Sequence, residues 1–234
     1  MAPSVGGLRE QLAVVASSGP FRTLLLAWVL QALATGTMLA GADYVARWVL
    51  RDAGASTLIL VAFVGPAIVE TPLWERVGVR AGKKRGFVAA TVLLLAGALV
   101  VLLVHGMGTA AVAAAIVLVG IGYAGVQMFP MAMMPDIAAA DTARSGANRT
   151  GVFTGVWTAG ETLGLALGTG LYALVLATGG YGASRAGAVT QPPSAVTAAL
   201  VGFTAVPAVL VALSLVPLLL HRPASEGVRP GRST

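Results

Sequence analysis

Residues 130–168 read PMAMMPDIAAADTARSGANRTGVFTGVWTAGETLGLALG: two apolar runs joined by a short polar turn that carries Asp136, Asp141, Arg144 and Arg149. Such a turn belongs at a membrane surface, where the charged heads reach water while the flanking runs cross hydrocarbon. Working outward, further apolar runs complete a series of six: roughly Thr23 to Leu50, Ser56 to Trp74, Phe87 to His105, Thr109 to Met134, Gly151 to Ala177 and Ala195 to Leu220. Each meets or approaches the ~20 residues that a helix needs to cross about 30 Å of hydrocarbon. The runs are unbroken and rich in Ala and Leu, whereas barrel strands alternate, and helices satisfy their own backbone groups in lipid. The expected fold class is therefore an all-α membrane protein with six transmembrane helices. The expected parts are a cytoplasmic lead over 1–20, a six-helix domain over 21–221 and a polar cytoplasmic tail over 222–234.

Composition supports the same solvent. Of the 234 residues 57% are hydrophobic and 10% charged, against roughly 25% charged in soluble domains, and the mean hydropathy is +0.86. With no cysteine, disulfides and thiolate chemistry are excluded. No G-x-S-x-G, H-E-x-x-H or Walker A sequence occurs, and the two histidines are too far apart in sequence to suggest a metal pair; no enzyme is expected. The net charge of +6 reads as a topology signal rather than a nucleic-acid one. Arg9, Arg22, Arg76, Arg80, Lys83, Lys84, Arg85, Arg144, Arg149, Arg222, Arg229 and Arg232 fall on one side of a six-span layout, and Arg47, Arg51 and Arg185 on the other. Cations are retained inside on insertion, so a multi-pass protein of the cell (inner) membrane with both termini in the cytoplasm is expected.

Ionisable and polar groups inside the spans are the candidate solute or ion site, because an unpaired charge in hydrocarbon costs ~2.5 to 3.5 kcal/mol on insertion scales. Glu161 lies about eleven residues into its span, and helical spacing puts Thr154, Thr158, Gly168 and Tyr172 on or near its face. Its two readings are a solute or proton site and a protonated structural carboxyl. Glu70 follows Pro66 and either lines a pore or snorkels to the surface. Asp43 and Tyr44, with Gln31, offer acceptors and an aromatic face for a sugar; pairing of Asp43 with Arg47 one turn away is the alternative. Gln127, beside Tyr123, needs a partner in solute or in a neighbouring helix. Gly151, Gly155, Gly160, Gly164 and Gly168 have the spacing of close helix contacts. Trp48 and Trp74 are expected at the interfaces, as are His105 and His221. Arg76, Lys83, Lys84, Arg85 and Arg149 stand at one mouth, where pairing with acids such as Glu75 and Asp136 would form a gate; topology and anionic lipid binding are the alternative use of the cluster.

The stretch 130–168 also resembles the glycoside, pentoside and hexuronide:cation symporters, relatives of melibiose permease in the major facilitator superfamily. Those proteins tend to carry M-L-P-D, then a G-x-R-R-E-G turn, then a helix ending near A-L-G; here the letters are MMPD, GANRTG and ALG. Leu8 to Leu12 and Pro20 to Leu25 are similar to the segment after the central loop of twelve-helix facilitators, and Trp74 to Arg85 to the loop between the second and third helices of a half. The resemblance implies the C-terminal six-helix bundle of a cation-coupled sugar symporter, with Na⁺ or H⁺ as coupling ion and no other cofactor. It implies as partners lipid, a sugar or glycoside, and a second six-helix half or a homodimer, because much of the sugar and cation site of such proteins lies in the other half. A transport-inactive truncated bundle and a non-transport scaffold are the alternatives. Glu161 stands where the family often has Lys near its pocket, Thr150 where it has Glu and Asn148 where it has Arg, so substrate and ion do not carry over with the fold.

Overall fold

The computed structural model describes residues 7–182 and 190–221; Arg185, Arg222, Arg229, Arg232 and the tail over 222–234 lie outside the described residues. A short helix α1 (Leu8–Ser17) leads into α2 (Gly19–Tyr44), which opens on Pro20, where a missing N–H has no helical partner to lose. One π-helical turn, Val45–Val49, extends α2 at its far end. The second span is α3 (Ala55–Val69) followed by α4 (Thr71–Ala81), then come α5 (Lys83–Val104), α6 (Thr109–Ser145) and α7 (Thr150–Thr178), and the last span is α8 (Pro193–Phe203) with α9 (Ala205–Leu220). The described residues contain six helical segments long and apolar enough to cross a membrane, matching the six runs of the sequence.

Two spans are broken for legible reasons. In the second, Pro72 cannot donate to Ile68, so the ladder of α3 stops at Val69 and a new helix starts after Glu70. In the last, Thr204 leaves helical geometry (φ −120°, ψ −65°), three residues before Pro207.

The fourth span corrects the sequence reading. It does not end at Met134; α6 passes through Pro130 and Pro135 and runs 37 residues to Ser145, about 55 Å at 1.5 Å per residue. Asp136, Asp141 and Arg144 thus ride a helix that projects beyond the hydrocarbon, and the turn itself is only 146–149, entered through Gly146 in the left-handed region at φ 70°.

Around the bundle the neighbours run α7, α2, α9, α5, α6, α3. The α2–α7 crossing is close because both helices present glycine there: a Cβ on Gly36 or Gly168 would collide with the other helix's backbone oxygen, that of Leu165 or Leu33. The ring is open between α3 and α7, and α6 touches α7 only sparingly. The spans that flank this opening are the least covered: 18% of the apolar window of the second span and 22% of that of α7 are buried, against 61% for the first span.

One end of the bundle gathers the charge. There the end of α9 meets the start of α2 through His221 and Thr23, and Lys83 and Lys84 at the start of α5 reach α6 and α9. This is the basic end of the bundle.

Candidate functional site

Glu161 lies on α7 beside the opening, half-buried, with no hydrogen bond or ion pair among the described residues. Its carboxylate is close enough to act electrostatically on the hydroxyl of Tyr123 on α6. Tyr123 packs its ring on Phe63 of α3 at 4.8 Å. Gln127, one turn along α6, is half-buried with its amide unpaired among the described residues, and Thr158, one turn before Glu161, is exposed. A carboxylate with a hydroxyl one turn away on α7, and a phenol with an amide one turn away on α6, thus stand on the two helices of the sparsely packed α6–α7 seam. That set can exchange hydrogen bonds with a hydroxyl-rich solute, and its carboxylate can hold a proton or a monovalent cation.

The other expected site residues are elsewhere. Tyr172 shares Glu161's helical phase but is buried, donating from its hydroxyl to Ala199 O at 3.3 Å, because α8 covers α7 at that end. Its ring sits 5.6 Å from that of Tyr44, which in turn lies 5.2 Å from Tyr181; Tyr44 belongs to an aromatic cluster away from Glu161. Asp43 is used up: Oδ2 accepts from Arg47 Nε at 2.7 Å and Oδ1 from Ser56 Oγ at 2.8 Å, so the pairing reading fits the geometry. Glu70 sits at the α3–α4 break, half-buried, and among the described residues its side chain forms no hydrogen bond or ion pair with Glu161 or Tyr123.

Gln31 is turned into the bundle and locks three spans together. Its Nε2 donates to Thr91 Oγ1 and to Ser214 Oγ, both at 3.1 Å. The orientation of the amide follows from its partners, since both hydroxyls spend their own hydrogens on helix carbonyls, Phe87 O and Val211 O, and so can only accept. Oε1 is left without a partner. Nearby, Trp28 and Trp157 stack at 4.9 Å along the α2–α7 seam.

At the basic end Lys83 Nζ donates to Asp136 Oδ2 at 2.5 Å and to Ala132 O at 2.9 Å, joining the start of α5 to α6. Lys84 does not join this pair: it caps α9 by donating to Leu219 O at 2.8 Å and His221 O at 2.6 Å, where a cation complements the negative helix end. Arg76 and Arg85 are exposed and meet no acid among the described residues. Arg149 Nη1 stands 4.0 Å from Asp141 Oδ2.

Three placements escaped the sequence reading. Asp141 is buried and takes Arg144 Nη2 on Oδ1 at 2.8 Å; its D-x-x-R spacing is the signal that could have found it. Trp74 is no interface anchor, because the break at Glu70 turns it onto α6, where Nε1 donates to Ile121 O at 2.8 Å. His221, at the end of the last span, is buried against the start of α2. Its Nδ1 lies 3.1 Å from Pro20 O, a group that only accepts, so the proton sits on Nδ1, and Thr23 Oγ1 lies 3.0 Å away. Burial holds the His221 imidazole below its ordinary value, the charge of Lys84 adds to that, and the Pro20 carbonyl opposes it.

Six apolar spans in an open ring, with a polar face at the opening and charge gathered at one end, define a polytopic membrane protein shaped like one bundle of a two-bundle transporter. The chain belongs to the family described as MFS/sugar transport protein, whose model matches residues 2–222. No curated protein matches it. The family is one of transporters and not of enzymes.

Proposed function

We propose that the chain is the C-terminal six-helix half of a cation-coupled sugar symporter, which carries a glycoside together with Na⁺ or H⁺ after pairing with a second six-helix half or with another copy of itself. The observation that carries this reading is the polar face of Glu161, Tyr123, Gln127 and Thr158 at the opening of the ring. In lipid such a face would leave polar groups unsatisfied; against a second bundle it becomes one wall of an aqueous path. The glycines of α7 support a partner there. Gly160, Gly164 and Gly168 are occupied by α2, but a Cβ at Gly151 or Gly155 would meet nothing within 4 Å. Glycine costs about 1 kcal/mol against alanine inside a helix, a cost that close approach of an outside helix offsets.

In this reading the basic end faces the cytoplasm of a cell-membrane protein, both termini with it, by the bias of cations toward the inside. Lys83 and Asp136 close the cytoplasmic mouth and part as the bundles rock. Glu161 binds the coupling ion or the solute hydroxyls.

The test is uptake of labelled glycosides into vesicles holding the chain alone or with a second six-helix half, under imposed Na⁺ or H⁺ gradients, for wild type and Glu161→Gln. Gradient-driven uptake that Glu161→Gln abolishes supports the reading. A Glu161→Gln protein that transports unchanged makes Glu161 structural, and a chain inert with every partner is a transport-inactive bundle or a scaffold.

A further inference from the structure

We propose that the outer face of α4 and the start of α5 form a binding surface for anionic phospholipid headgroups. Helix α4 turns Trp74, Val77 and Gly78 inward, with Gly78 against Phe129 of α6. Helical spacing then places Leu73, Arg76, Val79 and Arg80 on the opposite face, and all four are exposed. Arg85 adds a third exposed guanidinium just past the Gly82 turn.

Charge is what this surface has in excess. Lys83 is taken by Asp136 and Lys84 by the end of α9, whereas Arg76, Arg80 and Arg85 form no ion pair among the described residues. Glu75 is the single acid in residues 71–85. A phosphodiester accepts the forked donors of guanidinium groups in pairs, and the surplus of cations selects an anionic over a zwitterionic headgroup.

The apolar side chains between the arginines choose a lipid over an acidic protein face. Val79 is 88% exposed and Leu73 48%, and each lies on the helix face that carries Arg76 and Arg80. In water both would be bare. At the border of headgroups and acyl chains the aliphatic groups dip into the acyl region while the arginines snorkel outward to phosphate.

The test measures association of spin-labelled phosphatidylglycerol and spin-labelled phosphatidylcholine with the chain in phosphatidylcholine vesicles. The wild type selects phosphatidylglycerol, and salt at about 0.5 M weakens the selection by screening. In R76Q/R80Q/R85Q the selectivity drops by up to about fivefold per arginine, the equivalent of ~1 kcal/mol for each cation at a charged surface. R76K/R80K/R85K, with the charge restored, keeps it. Equal association of the two lipids with the wild type, or a Gln variant as selective as the wild type, overturns the proposal. So does a Gln variant that retains selectivity but no longer associates with a second six-helix chain, which would make this face a protein contact. If the triple variant misfolds, the single variants R76Q, R80Q and R85Q decide the matter: each lowers the selectivity, and three single variants as selective as the wild type overturn the proposal.

Discussion

Replacing Gln31 by Leu separates a structural amide from a solute-binding one. The side chain spans the interface of α2, α5 and α9, donating at 3.1 Å to Thr91 and at 3.1 Å to Ser214. Hydrogen bonds between membrane helices average about 0.6 kcal/mol each, so the substitution removes roughly 1.2 kcal/mol. It also removes Oε1, a buried acceptor with no partner, whose desolvation costs on the order of 1 kcal/mol. Leu fills a similar volume, so the two effects nearly cancel and Gln31→Leu stays within about 1 kcal/mol of wild type. Gln31→Ala instead leaves a cavity and costs about 2 kcal/mol or more. A double-mutant cycle of Gln31→Leu with Thr91→Val, read by equilibrium unfolding in mixed detergent and SDS micelles, isolates one bond at about 0.6 kcal/mol and at most about 1.7 kcal/mol. A coupling of zero refutes the three-helix lock. So does a Gln31→Leu protein that folds as well as wild type but no longer binds solute, since that would place the amide in the solute path.

The Lys83–Asp136 pair is exposed on both sides, at 45% and 55%, so Asp136→Asn changes stability by less than about 1 kcal/mol; its effect falls on labelling of the basic mouth, which increases, and the swap Lys83→Asp/Asp136→Lys restores the wild-type pattern, whereas unchanged labelling removes the pair from the gate. Gly168→Leu drives a side chain into the backbone of α2 and prevents folding, judged by loss of a monodisperse peak in detergent. Gly155→Ala has open space and stabilises the isolated chain by up to about 1 kcal/mol. The neutral imidazole of His221 is favoured by burial; because the unfolded chain then binds the extra proton more readily, stability is full above the ordinary histidine value of about 6.5 and declines as pH falls below it. His221→Asn flattens that decline, and a wild-type profile already flat from pH ~7 down to ~5 contradicts the burial argument.

Much of the fold was legible because lipid leaves few alternatives: twenty apolar residues in a row have to be helix, and the six runs are the six spans. What misled was local chemistry read without its neighbours. The fourth run was read as ending at Met134, yet α6 passes through Pro130 and Pro135 to Ser145, while Pro72 breaks the second span and so decides where Trp74 points. At the site, Glu161 announced itself as an acid far from any span end, Thr158 followed by helical phase, and Gln127 stood out as an amide in mid-span. Phase could not separate Thr158 from Tyr172, because the same face of α7 is open beside α6 and covered by α8 further along. Lys83 and Lys84 are adjacent letters with different tasks, one reaching α6 and the other α9, which only the packing of three helices decides.

The central claim is that the face of α7 around Glu161 borders water and not lipid once the chain is assembled in a membrane. The natural sequence has no cysteine, so a single cysteine introduced at Thr158, exposed on that face, or at Leu213, 52% exposed on the outside of α9, is the only thiol present. Membranes carrying each variant are treated with a water-soluble, membrane-impermeant maleimide. The account predicts labelling of Thr158→Cys, slowed by bound glycoside, and none of Leu213→Cys. Equal resistance of the two positions would put the Glu161 face in lipid and contradict the account.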